Sequence, residues 1–594
     1  MKKFIPIGMG VCVWSSLVCA EQLSAPTPAN PALLQELSRL ENIRQEQRLN
    51  EIKKQQLDSQ VISLNSQQQS PQLILSRIVV PEQPCFKISQ VTLDLSSSTY
   101  PQQDQHAFQF IVNELTASRS GTILGKCIGT QSLQNIVRFA QNEIIKAGYI
   151  TSQVSVSPQD LRSGKLVLSV YPGRLNKIIQ QGNVLSPAQL YSAFPIHSGE
   201  LLNIKALDQG LENLRHNSNL DIDIQVVPAG TEGQEQPGYS NLLVTAQPYR
   251  KTSLSFNIDD SGSKSTGQYI GSVGLSINSP FLLNDSLSFN FSHSLDDIEG
   301  DHNKSYFGSY QLPFKNYELN ASFNQFDYDQ YIAGANGPIL YSGKSQQSSL
   351  GISRLLSRGS QYKTMIYTKA YHKKNRNFIE DIEIEVQRRQ TTGWQVGVQH
   401  RQYIGTGLLD IGLDYRRGTG ALNAIPAYEE QIRDVNGNSL PSEGYARAPL
   451  WSADLRFNQP FLFLQHPAQY RLNWRGQYAP KILVAPDRFN IGGRYSVRGF
   501  DGEIMLSGDN GHYLQQEISL NSTIPNTQFY AGIDQGWVNG RNSIAGQRYL
   551  LGSVLGLRSY YHGFYLDAFT GHGLIAPQSL KKQWNGGFSL NYTY

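Results

Sequence analysis

Beyond Arg250 apolar and polar residues alternate, clearly in Leu254/Phe256/Ile258, Leu287/Phe289/Phe291, Leu409/Ile411/Leu413/Tyr415, Tyr470/Leu472/Trp474 and Phe588/Leu590/Tyr592/Tyr594. A period of two with one apolar face is the pattern of a strand that shows one side to a nonpolar medium. Repeated over a region without a helical period, it predicts a membrane all-β barrel over residues 250–594. Tight turns at Pro280–Asp285 and Pro313–Asn316 alternate with longer polar stretches at Asp259–Gly267 and Leu295–Lys304. That rhythm matches short periplasmic turns and longer external loops. At about 21 residues per strand plus loop, the region accommodates about 16 antiparallel strands, an even number as bacterial barrels require.

Upstream, two stretches share one order of patterns. Residues 85–173 open on the alternating run Phe86–Leu93, pass through helical periods near Ala107–Thr116 and Leu133–Ala147, and alternate again at Tyr149–Ser157 and Lys165–Tyr171. Residues 174–249 repeat this, with strands near Leu175–Gln180, Asp221–Val227 and Asn241–Gln247 around helices near Pro187–Phe194 and Ile204–His216. Each predicts a small α+β domain of βααββ order, of a size usual for compact modules. Gly230–Gly238 reads as a turn longer than usual.

Residues 58–84, rich in Gln, Ser and Pro, keep no period and read as a linker. Residues 21–57 contain one helical run, with Pro31 suited to its first turn. Leu33, Leu37, Leu40 and Arg44 form a narrow stripe, while Arg39, Arg48, Lys53 and Lys54 keep the remainder polar, so the helix is poorly equipped for a dry core. It suits a solvated helix or short coiled coil. Equally, Leu33–Leu57 would span about 37 Å, enough to thread a water-filled barrel whose apolar band is about 25 Å tall.

Lys2 and Lys3 precede an apolar run from Phe4 to Val18 that closes on Val18-Cys19-Ala20, the pattern of a secretory signal peptide over residues 1–20. Val18 is larger than the residue that normally precedes a lipidated cysteine, which argues against Cys19 as a lipid anchor. No later apolar run is long enough for a spanning helix, and mean hydropathy is -0.37. The exported chain is then either soluble or a closed barrel, since only helices and barrels satisfy every backbone polar group in lipid. With 31 Tyr, 24 Phe and 52 Gly against 4 Met, composition favours a barrel with aromatic girdles and many turns. Cys12 and Cys19 leave with the signal, and the remaining pair, Cys85 and Cys127, is expected to form one disulfide in an oxidising compartment. A net charge of +4 is no basis for a nucleic-acid partner.

Between Phe489 and Gly502 the chain reads Phe-Asn-Ile-Gly-Gly-Arg-Tyr-Ser-Val-Arg-Gly-Phe-Asp-Gly, where glycines permit tight turns and arginines supply planar donor forks. Further on stands Gly532-Ile533-Asp534-Gln535-Gly536, a strand-like stretch with a single acid between small residues. A guanidinium and a carboxylate can form a bidentate pair. On the residues alone, Arg498 is more often a solvated loop residue, and Asp534 a lumen-facing polar one.

Together these motifs resemble the transporter subunits of two-partner secretion, of the haemolysin activator and filamentous haemagglutinin transporter type, within the outer-membrane assembly factor superfamily. Val497-Arg498-Gly499-Phe500 is similar to the motif of that superfamily's sixth extracellular loop, which folds back into the barrel. Gly532-Ile533-Asp534-Gln535-Gly536 is similar to the wall motif it touches, which places Asp534 opposite Arg498 and Gly532 and Gly536 beside it. Pro84-Cys85-Phe86 and Gly125-Lys126-Cys127 are similar to stretches of the first periplasmic domain in the secretion branch, as are Gly148-Tyr149-Ile150-Thr151-Ser152 and Gln159-Asp160-Leu161.

The resemblance implies two polypeptide-transport-associated domains in the periplasm, an N-terminal plug helix, and a barrel in the bacterial outer membrane. Implied partners are a secreted exoprotein with an N-terminal secretion domain, outer-membrane lipid, and the barrel assembly machinery during biogenesis. The exoprotein could be of haemolysin, adhesin or contact-dependent inhibition toxin type. The competing reading is an outer-membrane insertase, which would share the Arg498 motif but usually carries more periplasmic domains. A passive porin explains the barrel and not the domains before it. The sequence has no Gly-x-Ser-x-Gly elbow, His-Glu-x-x-His pair or phosphate-binding loop, so no catalytic residue, metal site or cofactor is predicted. His512, His562 and His572 are expected in loops or the lumen.

Overall fold

Sixteen antiparallel strands close into a barrel, from Thr252–Asp259 to Trp584–Thr593. The computed structural model describes residues 38–48 and 78–594, save 118–120, 217–220, 232–233, 248–249, 297–299, 335–336, 439–443, 541–547 and 579. The expected signal peptide, the linker up to residue 77 and the ends of the expected N-terminal helix, with Leu33, Leu37, Lys53 and Lys54, lie outside the described residues. Alternation along each strand sets the faces: Phe289, Phe291, Phe323 and Leu350 are exposed outward, while Asn303, Ser305, Asn324 and Asn377 are buried inward. At the seam Asp259 lies opposite Ser589 and Ser255 opposite Thr593. The stretch 279–285 joins neighbouring strands as a tight turn, and Lys315 and Asn316 join another pair where Phe314 faces Tyr317.

Two small α+β domains precede the barrel. In the first, helices α2 (Pro101–Ala117) and α3 (Thr130–Ala147) pack Phe108, Ile111, Ile136 and Phe139 against Val91, Leu166 and Leu168 of a three-stranded sheet. Glu82 accepts hydrogen bonds from the backbone N–H groups of Gly129, Gln131 and Ser132 at the start of α3. The Ser132 side chain, followed by these backbone N–H groups, holds its carboxyl below the usual range. In the second, α4 (Pro187–Ala193) begins with a capping box between Ser186 and Gln189, and α5 (Ile204–Leu214) is capped by Asn203. A buried ion pair of 2.6 Å between Arg174 and Asp104 joins the two domains.

Three local expectations change. The run Phe86–Leu93 is broken in two: Phe86–Lys87 pairs with Cys127–Ile128, and Gln90–Asp94 joins the three-stranded sheet. The break falls where Ser89 and Gln90 both donate to the Gly164 carbonyl, which turns the strand between sheets. Tyr149–Ser157 is a strand only over Gln153–Ser155, because Gly148 ends α3 at φ 100° and Tyr149 still donates to Ile144. The expected long turn at Gly230–Gly238 is instead strand, since Ile222–Thr231 and Gln234–Ala246 pair as far as Thr231 opposite Gln234. Polarity marked an extension of a solvated hairpin, not a loop.

The second domain rests on the barrel's short turns, which fixes that end as periplasmic. Gln189 donates to Ser279 Oγ at 3.2 Å, Asn284 donates to the Gln189 carbonyl at 2.8 Å, and Lys315 N–H donates to the Ser192 carbonyl at 2.6 Å. Glu212 of α5 is ion-paired to both Arg358 and Lys363 on neighbouring barrel strands.

Cys85 and Cys127 are disulfide-bonded across a sequence separation of 42. Loop-closure entropy for a loop of that length is worth about 4 kcal/mol. Replacing both cysteines by alanine is expected to raise hydrogen exchange at Ile88, Ile128 and Ile136 to that extent while leaving the barrel's exchange unchanged.

Candidate functional site

The chain between the strands His466–Tyr478 and Asn510–Asn521 turns back into the lumen as a structured loop. A short hairpin, Phe489–Ile491 with Leu506–Gly508, anchors it against the wall. Its apolar residues Phe489, Ile491 and Leu506 pack with Val497, Phe500, Val538 and Leu550 in one buried cluster. This gives a polar lumen a local dry core, held by the hydrophobic burial of about nine side chains.

Over that core lies Val497-Arg498-Gly499-Phe500. Arg498 donates Nε to Asp534 Oδ2 at 2.7 Å and Nη2 to Oδ1 at 3.0 Å, a bidentate fork. Its backbone N–H donates to the same carboxylate at 2.9 Å, and Nη1 reaches Glu517 Oε2 at 2.7 Å. Asp534 is fully buried, at 0% exposure. Glu517 also pairs with Arg558, which in turn contacts Asp567 at 3.1 Å. The lumenal wall therefore carries an alternating chain, Asp534, Arg498, Glu517, Arg558 and Asp567. Removing the Arg498 cation would strand the buried Asp534 carboxylate, at a cost of about 3–5 kcal/mol.

Close approach explains the glycines. A side chain at Gly532 would meet Arg498 Nη2 at 2.9 Å, and one at Gly536 would meet Val497 at 2.9 Å. On the next two strands, Gly552 lies against the Arg498 carbonyl and Gly573 against the Phe500 ring. Gly499 has φ 106°, a backbone that favours glycine, and lies against His572. The loop motif thus sits in a bed of glycines spread over three adjacent strands.

Helix α1, described over 38–48, lies in the lumen beside this loop. Arg39 donates to Asn490 at 2.8 Å, Arg44 donates to the Gly502 carbonyl at 2.8 Å and to Glu503 at 3.1 Å, and Leu40 and Ile43 pack on Met505. Around the wall, Ser38 bonds Asn377, Gln45 bonds Ser305, and Arg48 bonds Asp259 and Ser272. Glu46 pairs with Lys373 at 3.2 Å. Arg39 and Arg48 are buried, at 4% and 8% exposure. The helix's polar faces, a poor match to a dry core, match this polar wall.

The structure thus brings Val497, Arg498, Gly499, Phe500, Gly532, Asp534 and Gly536 together, and keeps Cys85 and Cys127 apart in the first periplasmic domain. Sequence reasoning missed Glu517, Arg558, Asp567 and the glycines at 552 and 573. Glu517 and Arg558 stand at inward positions of alternating strands, which was the available signal. His512 and His572 are not lumenal as expected: they face outward beside Trp537 and Trp584, with ring centroids 5.9 and 5.1 Å apart. Both follow the outward parity of their strands. His562 lies in a turn at φ 46°.

A closed outer-membrane barrel with two periplasmic domains, a lumenal loop and a lumenal helix defines a protein-translocating transporter. A family model described as haemolysin secretion/activation protein ShlB/FhaC/HecB matches residues 238–559, and the chain belongs to that family. Models of a POTRA domain, ShlB-type, and of a POTRA domain match residues 108–173 and 169–228. Outer membrane transporter CdiB-2 of Burkholderia pseudomallei (strain 1026b) is 27% identical over 94% of both chains. The structure of CdiB from Acinetobacter baumannii is 50% identical, covering 96% of this chain and 100% of its own, with a TM-score of 0.83. CdiB from Escherichia coli, 22% identical over 96% of this chain and 100% of its own, shares the fold with a TM-score of 0.78. The protein is an outer-membrane transporter of two-partner secretion, and it exports an exoprotein partner.

Gly552→Val would place a side-chain carbon 1.9 Å from the Arg498 carbonyl oxygen. It is expected to lift the loop from the wall, which external protease would report as new cleavage within 493–503. Gly586→Ala, whose added carbon meets nothing nearer than 3.4 Å, should leave the cleavage pattern unchanged.

Proposed function

We propose that the transporter rests closed, with α1 and the loop around Arg498 filling the lumen, and that export begins when α1 leaves. The observation that carries this reading is the character of α1's seat. Among the described residues, apart from Leu40 and Ile43 on Met505, the contacts of 38–48 are hydrogen bonds and ion pairs such as Arg48 with Asp259. Water can replace such contacts as the helix withdraws, so little apolar surface opposes release. Beside α1 the lumen holds a cavity of about 1760 Å³, lined by Arg48 and Glu46 together with wall residues. That exceeds the usual size of a small-ligand pocket, about 300–1,000 Å³, and suits a path for a chain.

The client arrives unfolded, its N-terminal secretion domain meeting the periplasmic domains by strand addition. Gln90–Asp94 and Arg174–Gln181 are edge strands of their sheets among the described residues. An edge offers unpaired backbone groups that need no particular client sequence. Likeness to CdiB from Acinetobacter baumannii at 50% identity favours a client of the kind that CdiB serves. The barrel assembly machinery inserts the chain, and outer-membrane lipid surrounds it.

Deleting residues 21–57 is expected to raise single-channel conductance in planar bilayers; conductance that stays at the resting value would remove α1 from the closure. Arg498→Ala should still reach the outer membrane but export less client, and Arg498→Lys should not restore export, because one ammonium cannot replace the fork to Asp534 and Glu517. Undiminished secretion by the alanine variant would overturn a role for the pairing.

A further inference from the structure

On the outer face of the strands between Ser286 and Ile379 the apolar band gives way to cations along one cross-strand row. His293 faces Lys304, Lys304 faces Asp327, Asp327 faces Lys344, and Lys344 faces Arg376. Lys374 lies on the same face of its strand, two positions from Arg376. The residues next to these along the chain, Asn303, Ser305, Tyr328 and Asn377, are buried on the lumenal side, so the cations point outward. Toward the periplasm the same face is apolar and exposed, with Phe291, Phe323, Leu350 and Ile352.

Height identifies the layer in which the row stands. Lys304 is ten residues from Phe314 at the periplasmic end of its strand, and Lys344 is fourteen residues from Arg358 at the end of its own. At about 3.3 Å rise and about 40° tilt, these offsets are about 25 and 35 Å. The row therefore runs from the top of an apolar band of about 25 Å into the outer headgroup layer.

Among the described residues the lysines of this row make no ion pair. Among the described residues no carboxylate oxygen lies within 4.0 Å of Lys304, Lys344 or Lys374, and Arg376 reaches Glu383 only at 3.9 Å with its side chain half exposed. Asp327 accepts from Gln325 at 2.9 Å and pairs with neither flanking lysine. On the strands that follow, Trp394, Tyr415 and Trp451 form a tilted aromatic cluster on the outer face.

We infer that Lys304, Lys344, Lys374 and Arg376 form a binding site for the phosphate groups of an outer-leaflet glycolipid, whose acyl chains lie along Phe291, Phe323 and Leu350. Four cations on three strands, the lysines among them without an ion pair to the described residues, match a headgroup bearing more than one phosphate. The apolar face lies lower on the same strands, past Gln325 and Gln346, and supplies the rest of the lipid's contact.

The test is native mass spectrometry of the purified full-length chain, titrated with a diphosphorylated glycolipid and with the same lipid after dephosphorylation. The wild type is expected to hold the diphosphorylated lipid at least about tenfold more tightly than the dephosphorylated one, since each basic residue near a charged headgroup contributes about 1 kcal/mol. The variant Lys304→Gln/Lys344→Gln/Lys374→Gln/Arg376→Gln should lose that preference. Arg354→Gln, which removes an outward cation at the periplasmic end, should keep it. Heat-modifiable migration reports whether the fourfold variant folds, and the single variant Lys344→Glu, at an exposed position, serves if it does not. Equal affinity of variant and wild type overturns the site, and so does equal affinity for the two lipids.

Discussion

A carboxylate removed from water inside a barrel wall requires a fixed counter-charge, and Asp534 receives one from a residue thirty-six positions away in a loop. The loop must fold into the lumen for the strand to be tolerable, and the strand must be in place for the guanidinium to have a partner. Burying a lone charge costs several kcal/mol, whereas the bidentate fork plus a backbone N–H satisfies both carboxylate oxygens. Much else follows from that mutual dependence. Glycines at 532, 536, 552 and 573 clear the space, and Glu517 extends the pairing to Arg558, two strands along the same wall. The loop is thereby part of the barrel's interior structure, and it forms the platform against which α1 rests.

The two lumenal elements are held by different physics. The loop has a buried apolar cluster around Val497 and Leu550, and its central ion pair is shielded from water. Helix α1 has a small apolar contact and many polar ones, several of them to side chains that water would satisfy equally well. One element is built into the wall and the other is seated on it. Separating two surfaces costs least where their contacts can be exchanged for hydration.

The strand pattern was legible because a barrel imposes one rule on its strands, alternation between lipid and lumen, and the alternating runs between Leu254 and Tyr594 follow it. Pattern reading failed where backbone geometry overrode polarity: at Ser89, where one alternating run serves two sheets, and at Gly148, where a helix cap consumes the start of an apparent strand. It also failed at the hairpin through Thr231, since a polar strand in water resembles a turn. Arg498 and Asp534 stood out by their glycine surroundings. Glu517 and Arg558 did not, because a lumenal charge looks the same in sequence whether it meets solvent or another strand. The polar helix could be read two ways for the same reason, since only the wall facing it distinguishes a solvated helix from a seated one.

The strand Tyr362–Ile379 carries contacts at both ends that belong to different parts of the molecule. Near the periplasm its Lys363 pairs with Glu212 of the second domain; farther along, Lys373 holds Glu46 of α1 and Asn377 accepts from Ser38. A hydrogen-bonded strand between two long neighbours is stiff along its length. It is a beam with the second domain fastened at one end and the helix resting near the other. A tug on the periplasmic side would have a direct route along one strand to α1.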